Sequence, residues 1–200
     1  MPLDDKYGTG QDPYCLDNST VLINQLGITN EEELEEAEQQ LTELAALDID
    51  FHHPPYDLIY LRELHRKLFE DIYGWAGEIR SIDLAKGDTR FCNCNRIMAE
   101  ADKQFQVLAD ANYFEDDSRE MLVAHAAQLY VELNMTHPFR DGNGRAQRIL
   151  FEHIIINCGY EFSLDALSEE DWFQANIAGV NCDYEPMTRI FNRCIGSELE

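Results

Sequence analysis

Residues 137–148 read HPFRDGNGRAQR and bring an imidazole, a carboxylate, two closely spaced glycines and several guanidiniums to one loop-to-helix junction. A helix N-terminus already carries partial positive charge, and each cation placed there costs about 0.3–1 kcal/mol. Arg145 and Arg148 at such a place imply that an anion is to arrive. Gly142 and Gly144 permit positive φ and close backbone approach, so successive N–H groups can converge as an anion nest at the mouth of the following helix. The two arginines lie three apart on one helical face, and guanidinium forks bind phosphate oxygens in pairs. That spacing suits a polyphosphate. Asp141 beside an anion calls for a divalent cation between them, which is how Mg²⁺ is held by one or two carboxylates plus substrate phosphates. His137 stands just before the nest, where a neutral imidazole can take a proton from an attacking hydroxyl. Residue by residue, the competing reading is a plain Asn-Gly turn with its arginines paired to the protein's own acids. Phe139 reads as a core plug for the loop. The stretch is neither a GxxxxGK[ST] phosphate loop nor a GxGxxG dinucleotide turn.

Two apolar helices must present this loop. MLVAHAAQLYVELNM is apolar almost all round, as expected of a helix at the centre of a domain, with Asp117 and Glu120 as its start signal and His125 as a satisfied core group. RAQRILFEHIIINCG follows the loop and closes at Gly159. Upstream, Thr29 and Glu32 form a capping box for a helix to about Ala46, whose EEELEEAE run reads as a solvated face. DLIYLRELHRKLFEDIYGWAG keeps apolar residues in steps of 3 and 4 until Gly74 and Gly77, with His65 as a half-buried structural histidine. Further helices are expected from about Asn95 to Ala111, from Ser168 to Gly179 and from Glu185 to Cys194. Short β-prone pieces flank Lys86-Gly87-Asp88 and predict one hairpin in residues 81–92, with no other convincing strand to pair it. The fold class is mainly α, a helical bundle with one β-hairpin. A single domain is expected over residues 1–200, with an extended arm in 1–28 and a helical core in 29–195.

The totals narrow the function. The 200 residues carry 15 Lys plus Arg against 39 Asp plus Glu, a formal net charge of -24. Grooves that track nucleic-acid phosphates and surfaces that bind anionic membranes both need clustered cations, so neither direct nucleic acid nor membrane is expected as a partner. The start of the chain has neither a basic nor an apolar run, and no apolar stretch reaches the length of a membrane span, so a cytoplasmic address is expected. Six cysteines are too sparse for a disulfide scaffold, and the lone Cys92/Cys94 pair and the adjacent His52 and His53 lack the further ligands a zinc site needs.

HPFRDGNGRAQR resembles the complete signature of the Fic family, HxFx(D/E)GNGRxxR, at every defined position. DIYGWAGEIR is similar to the family's stretch before its flap hairpin, GDTRFC to the flap, and KYGTGQDPY to the start of bacterial Fic toxins. The resemblance implies a Fic-type helical bundle with the hairpin flap near the active site. It also implies a protein adenylyltransferase that moves AMP from Mg-ATP to a hydroxyl side chain of another protein. On that pattern His137 is the general base and Asp141 the Mg²⁺ ligand. The backbone at Gly142 and Gly144, with Asn143, cradles the α-phosphate, and Arg145 and Arg148 hold the β- and γ-phosphates. The flap residues Lys86, Gly87, Asp88, Thr89, Arg90 and Phe91 dock the target as an added strand, and Asn176 borders the adenine. Gly144 stands where phosphoryl-transferring relatives of the Doc type carry Lys, which favours adenylyl transfer. No Glu in the chain is followed by Gly or Asn, so the family's inhibitory (S/T)xxxE(G/N) pattern is absent. The expectation is therefore a bacterial toxin held inactive by a separate small antitoxin that supplies the inhibitory Glu in trans, with a gyrase or topoisomerase IV ATPase subunit as target. The alternatives are a Fic enzyme moving another phosphate-linked group, or a nucleotide-sensing interaction module with vestigial activity.

Overall fold

Asn30, one residue later than the capping box suggests, starts the first helix: its side chain accepts the Glu33 N–H at 3.0 Å and α1 runs Glu31–Leu47. Three glutamates in its first turn face the positive end of the helix dipole. The computed structural model describes residues 12–87, 89–164 and 168–199. Most of the arm likened to bacterial toxins, residues 6–11, and Asp88 of the hairpin lie outside the described residues.

Asp57 caps α2 by accepting the Tyr60 N–H at 2.7 Å, and the helix spans Leu58–Phe69. It ends well before the glycines that the spacing suggested as its stop. The apolar rhythm continues because Ile72, wholly buried, and Trp75 still pack inward from the turns beyond Phe69. A short 3-10 turn at Cys94–Arg96 leads into α3, Ile97–Asp110. Ser118, not Asp117, caps α4 (Arg119–Thr136), while Asp117 takes the Nδ1 of a half-exposed His125 at 2.7 Å. α5 is Asn143–Asn157, α6 Glu169–Val180 and α7 Glu185–Cys194.

α4 is the axis of the bundle, packing against α3, α5, α6 and α7. Leu122, Val123, Ala126, Leu129, Tyr130 and Leu133 are all buried, so apolar residues meet partners on every side. α5 lies against both α4 and α2. The expected hairpin exists as β1 (Ala85–Lys86) antiparallel to β2 (Thr89–Arg90), with Ala85 opposite Arg90 and Lys86 opposite Thr89. A second ribbon, β3 (Tyr160–Phe162) with β4 (Ile195–Glu198), corrects the expectation that no other strand exists. Its strands are short and far apart in the chain, so neither shows a period of its own. Among the described residues no helix is long and apolar enough to cross a membrane.

Candidate active site

The turn between α4 and α5 is held from three directions. His137 caps α4 in the left-handed region, φ 42° and ψ 63°, a conformation that costs a non-glycine residue roughly 1–2 kcal/mol. Strain of this kind persists where surrounding contacts fix it. Here the fixing group is Arg80, 2% exposed, whose Nε donates to the His137 carbonyl at 2.7 Å. The same guanidinium donates to the carbonyls of Ile82 at 2.5 Å, Cys92 at 2.6 Å and Thr136 at 3.4 Å, so it joins both ends of the hairpin to the His137 turn. The His137 ring sets Nδ1 3.3 Å from the Asn134 carbonyl. A carbonyl can only accept, so the proton sits on Nδ1 and the lone pair on Nε2.

Phe139 is wholly buried, as a core plug should be, and stacks on His65 with ring centroids 3.9 Å apart. Asn143 closes the loop over it, accepting the Phe139 N–H at 2.8 Å and donating to the Phe139 carbonyl at 2.9 Å. The Asn143 side chain is thus a staple for the loop. His65 is also wholly buried, not half-buried: Nδ1 accepts the Gly77 N–H at 2.9 Å and Nε2 donates to the Asp141 carbonyl at 2.9 Å. Burial lowers its pKa to about 4, so the ring is neutral and can serve one donor and one acceptor at once.

The two glycines have different reasons. Gly142 caps α5 at φ +73°, and a Cβ there would lie 2.3 Å from the Phe69 ring, so both conformation and space demand glycine. Gly144 lies inside the helix without a positive φ, contrary to the expectation for it. A Cβ there would meet nothing within 4 Å. The protein leaves that space open, which is what close approach of a ligand to the backbone requires.

A cavity of about 310 Å³ occupies this place, lined by Asp141, Gly142, Asn143, Gly144, Arg145 and Arg148. The N–H groups of Asn143, Gly144 and Arg145 belong to the first turn of α5, where a helix has no acceptors of its own, and the first intrahelical bond is from Ala146 to Gly142 at 3.2 Å. Arg148 is exposed, its guanidinium 5.5 Å from the Trp172 ring centroid. Arg145 lies 4.6 Å from the Phe69 ring centroid and is paired with Glu38. Glu38 therefore departs from the solvated face expected of EEELEEAE. Asp141 accepts the Gly142 N–H on Oδ1 at 2.6 Å and sits 3.9 Å from Arg145. Among the described residues no group of three His, Cys, Asp or Glu stands ready to hold a metal. One carboxylate on the cavity wall instead fits a Mg²⁺ held mainly by phosphates and water.

The hairpin sits over the imidazole. Phe91 stacks on His137 with centroids 3.8 Å apart and planes 14° from parallel. Lys86, Gly87 and Arg90 are exposed, and Thr89 is half-buried. Asn176 accepts from the Asn134 side chain at 2.8 Å and donates to the Trp172 carbonyl at 2.8 Å, so its side chain joins α6 to the residue behind His137. Arg80 and Glu38 have no place among the expected site residues. Only Glu38 had a sequence signal: it falls on the same helical face as buried Leu34 and Thr42, four residues to either side.

A model of the Fic/DOC family matches residues 55–155. The chain is 36% identical over 198 residues to "Probable protein adenylyltransferase Fic" of Escherichia coli (strain K12), covering 99% of each chain. BepC, a VirB-translocated Bartonella effector protein from Bartonella tribocorum solved with bound AMPPNP, matches with TM-score 0.85 at 25% identity, over 94% of this chain and 97% of that one. The N-terminal Fic domain of a VirB-translocated Bep effector protein from Bartonella quintana, with bound ADP, matches with TM-score 0.85 at 29% identity, over 94% and 95%.

Proposed function

This chain belongs to the Fic/DOC family and is a protein adenylyltransferase, and from that premise we propose that it transfers AMP from Mg-ATP to a side-chain hydroxyl of another protein and releases pyrophosphate. The observation that carries this reading is the cavity at the N-terminus of α5, whose lining includes Gly144, with its open side-chain position, together with Arg145 and Arg148. The first-turn N–H groups suit the α-phosphate, and the guanidiniums suit the β- and γ-phosphates. Asp141 would hold Mg²⁺, which when bound offsets phosphate charge. His137 Nε2 accepts the hydroxyl proton. The freed oxygen then attacks the α-phosphorus, and the bond from that phosphorus to the bridging oxygen breaks, so pyrophosphate carries away the electron pair. The chain supplies position and charge, which is most of what such a transfer needs.

We propose further that the target adds a strand along β2 of the flap, its hydroxyl led to His137 by main-chain bonds. The missing (S/T)xxxE(G/N) pattern supports a separate antitoxin that contributes an inhibitory Glu at Arg148. The likeness to bacterial toxins is the support for a cytoplasmic toxin acting on a gyrase or topoisomerase IV ATPase subunit.

The test uses lysate and ATP labelled at the α- or the γ-phosphate. Label from the α-position in protein bands, lost in His137→Ala, is the expected result. Label from the γ-position would indicate phosphoryl transfer, and label that persists in His137→Ala would overturn the base assignment.

A further inference from the structure

Arg145, in the first turn of α5, has its closest partners on another helix, with Asp141 of the preceding turn 3.9 Å away. Its guanidinium donates through one terminal nitrogen to Glu38 and through the other to the Thr42 hydroxyl at 3.4 Å, while the Phe69 ring lies beneath it. Thr42, 4% exposed, can only accept there because its own proton goes to the Glu38 carbonyl at 2.8 Å. Glu38 is pinned in turn. Its other carboxylate oxygen accepts from the Tyr73 hydroxyl, and burial, followed by the neighbouring Glu38 charge, raises the Tyr73 pKa far above the usual phenol range, so that hydroxyl remains a donor. Neither Glu38 nor Thr42 lines the cavity, whereas Arg145 does. The carboxylate therefore grips the guanidinium from behind, and its side chain is only 13% exposed against 32% for Arg145.

We infer that Glu38, on α1, is a positioning residue that fixes Arg145 for the pyrophosphate end of the nucleotide. This rests on the proposed reading of the cavity as a triphosphate site. An arginine has more N–H donors than Glu38 and Thr42 occupy, so the grip leaves others for phosphate and removes the rotamer freedom that binding would otherwise have to freeze. The pair spans 107 residues of sequence and ties a helix outside the signature to the signature's first helical arginine.

The experiment is a titration of the whole chain with ATP and with AMP, which lacks the phosphates that Arg145 would meet. Wild type is expected to prefer ATP, and Glu38→Ala to lose roughly tenfold of that preference, within the 10–100-fold range seen when partners that orient ligand-holding groups are removed. AMP affinity should stay unchanged. Glu38→Gln, which can still accept from Arg145, should restore most of the preference, and Glu38→Ala should add nothing in an Arg145→Ala background. If Glu38→Ala fails to fold, Tyr73→Phe removes the hydroxyl that pins Glu38 and should lower the preference by a smaller factor. A wild-type protein with no preference for ATP would sink the triphosphate reading itself. A preference that survives in Glu38→Ala or Tyr73→Phe, or that rises, would overturn the positioning role alone.

Discussion

The turn at residues 137–142 and the ribbon that covers it touch through His137 and Phe91, yet they are built in opposite ways. The turn is fixed by buried side chains: from distant parts of the chain, Arg80 on the His137 carbonyl and His65 on the Asp141 carbonyl, and from the adjoining helix start, Asn143 on both sides of Phe139. The ribbon has strands of two residues with exposed tips, and its order comes from its base, where Asp83 accepts from Asn93 at 2.8 Å and from the Cys94 N–H at 2.7 Å. On the proposed function, a transfer reaction punishes small displacements of the base and the phosphates, which gives a reason for a locked turn. A surface that registers many partners by main-chain bonds needs an unpaired edge rather than a fixed one.

The comparison breaks most visibly at His137 and Arg80. His137→Ala should lower transfer by about 10²–10⁴-fold, the usual worth of a positioned general base, while nucleotide binding measured by titration stays near wild type. Arg80→Ala leaves several buried carbonyls without a donor and should lower both Tm and transfer, with a stability loss of about 3 kcal/mol or more in denaturant unfolding. Gly142→Ala comes next. The clash with Phe69 and the left-handed φ should cost about 1–3 kcal/mol, read the same way. Ribbon changes should act elsewhere: Lys86→Ala with Arg90→Ala should leave Tm within a degree or two and raise KM for the protein target without changing KM for ATP. A large drop in Tm for that pair would show that the ribbon is structural, like the turn beneath it.

Much of the site was legible because its residues are neighbours in sequence. The signature, the two apolar helices around it and the hairpin are all local patterns, and the structure brings His137, Asp141, Gly144, Arg145 and Arg148 to the one turn that the spacing suggested. What holds them is not local. Arg80 bonds to His137 across 57 residues and Glu38 to Arg145 across 107, and no period or turn signal records such a pairing. The early end of α2 was hidden for a related reason, since Ile72 is buried whether helical or not. The roles of the two glycines also needed coordinates, because a sequence shows only that the side chain is missing.

A separate effect is in pH. Burial lowers the pKa of His65 from 6.5 to about 4, so between those values the unfolded chain binds the proton that the folded one refuses. His153 is depressed to about 4 in the same way, by burial first and then by His52 and Lys67. Stability should therefore be fully present above about pH 6.5 and fall as pH drops toward 4, and thermal melts should show it. His65→Gln, which keeps a donor and an acceptor but cannot titrate, should make that fall shallower. An unchanged slope would mean that His65 is protonated in the folded protein, and the contact to Asp141 would need another account.

The claim at the centre is that the empty position beside Gly144 is phosphate space. Gly144→Ala puts one methyl into it, meeting nothing within 4 Å beyond its own turn of helix, where alanine is favoured over glycine by roughly 0.8–1 kcal/mol. Calorimetric titration of the variant with ATP, run beside its thermal melt, should find Tm equal to or above wild type and ATP affinity cut by at least tenfold. A variant that melts like wild type and binds ATP as tightly would contradict the account, because the nucleotide would then lie somewhere else.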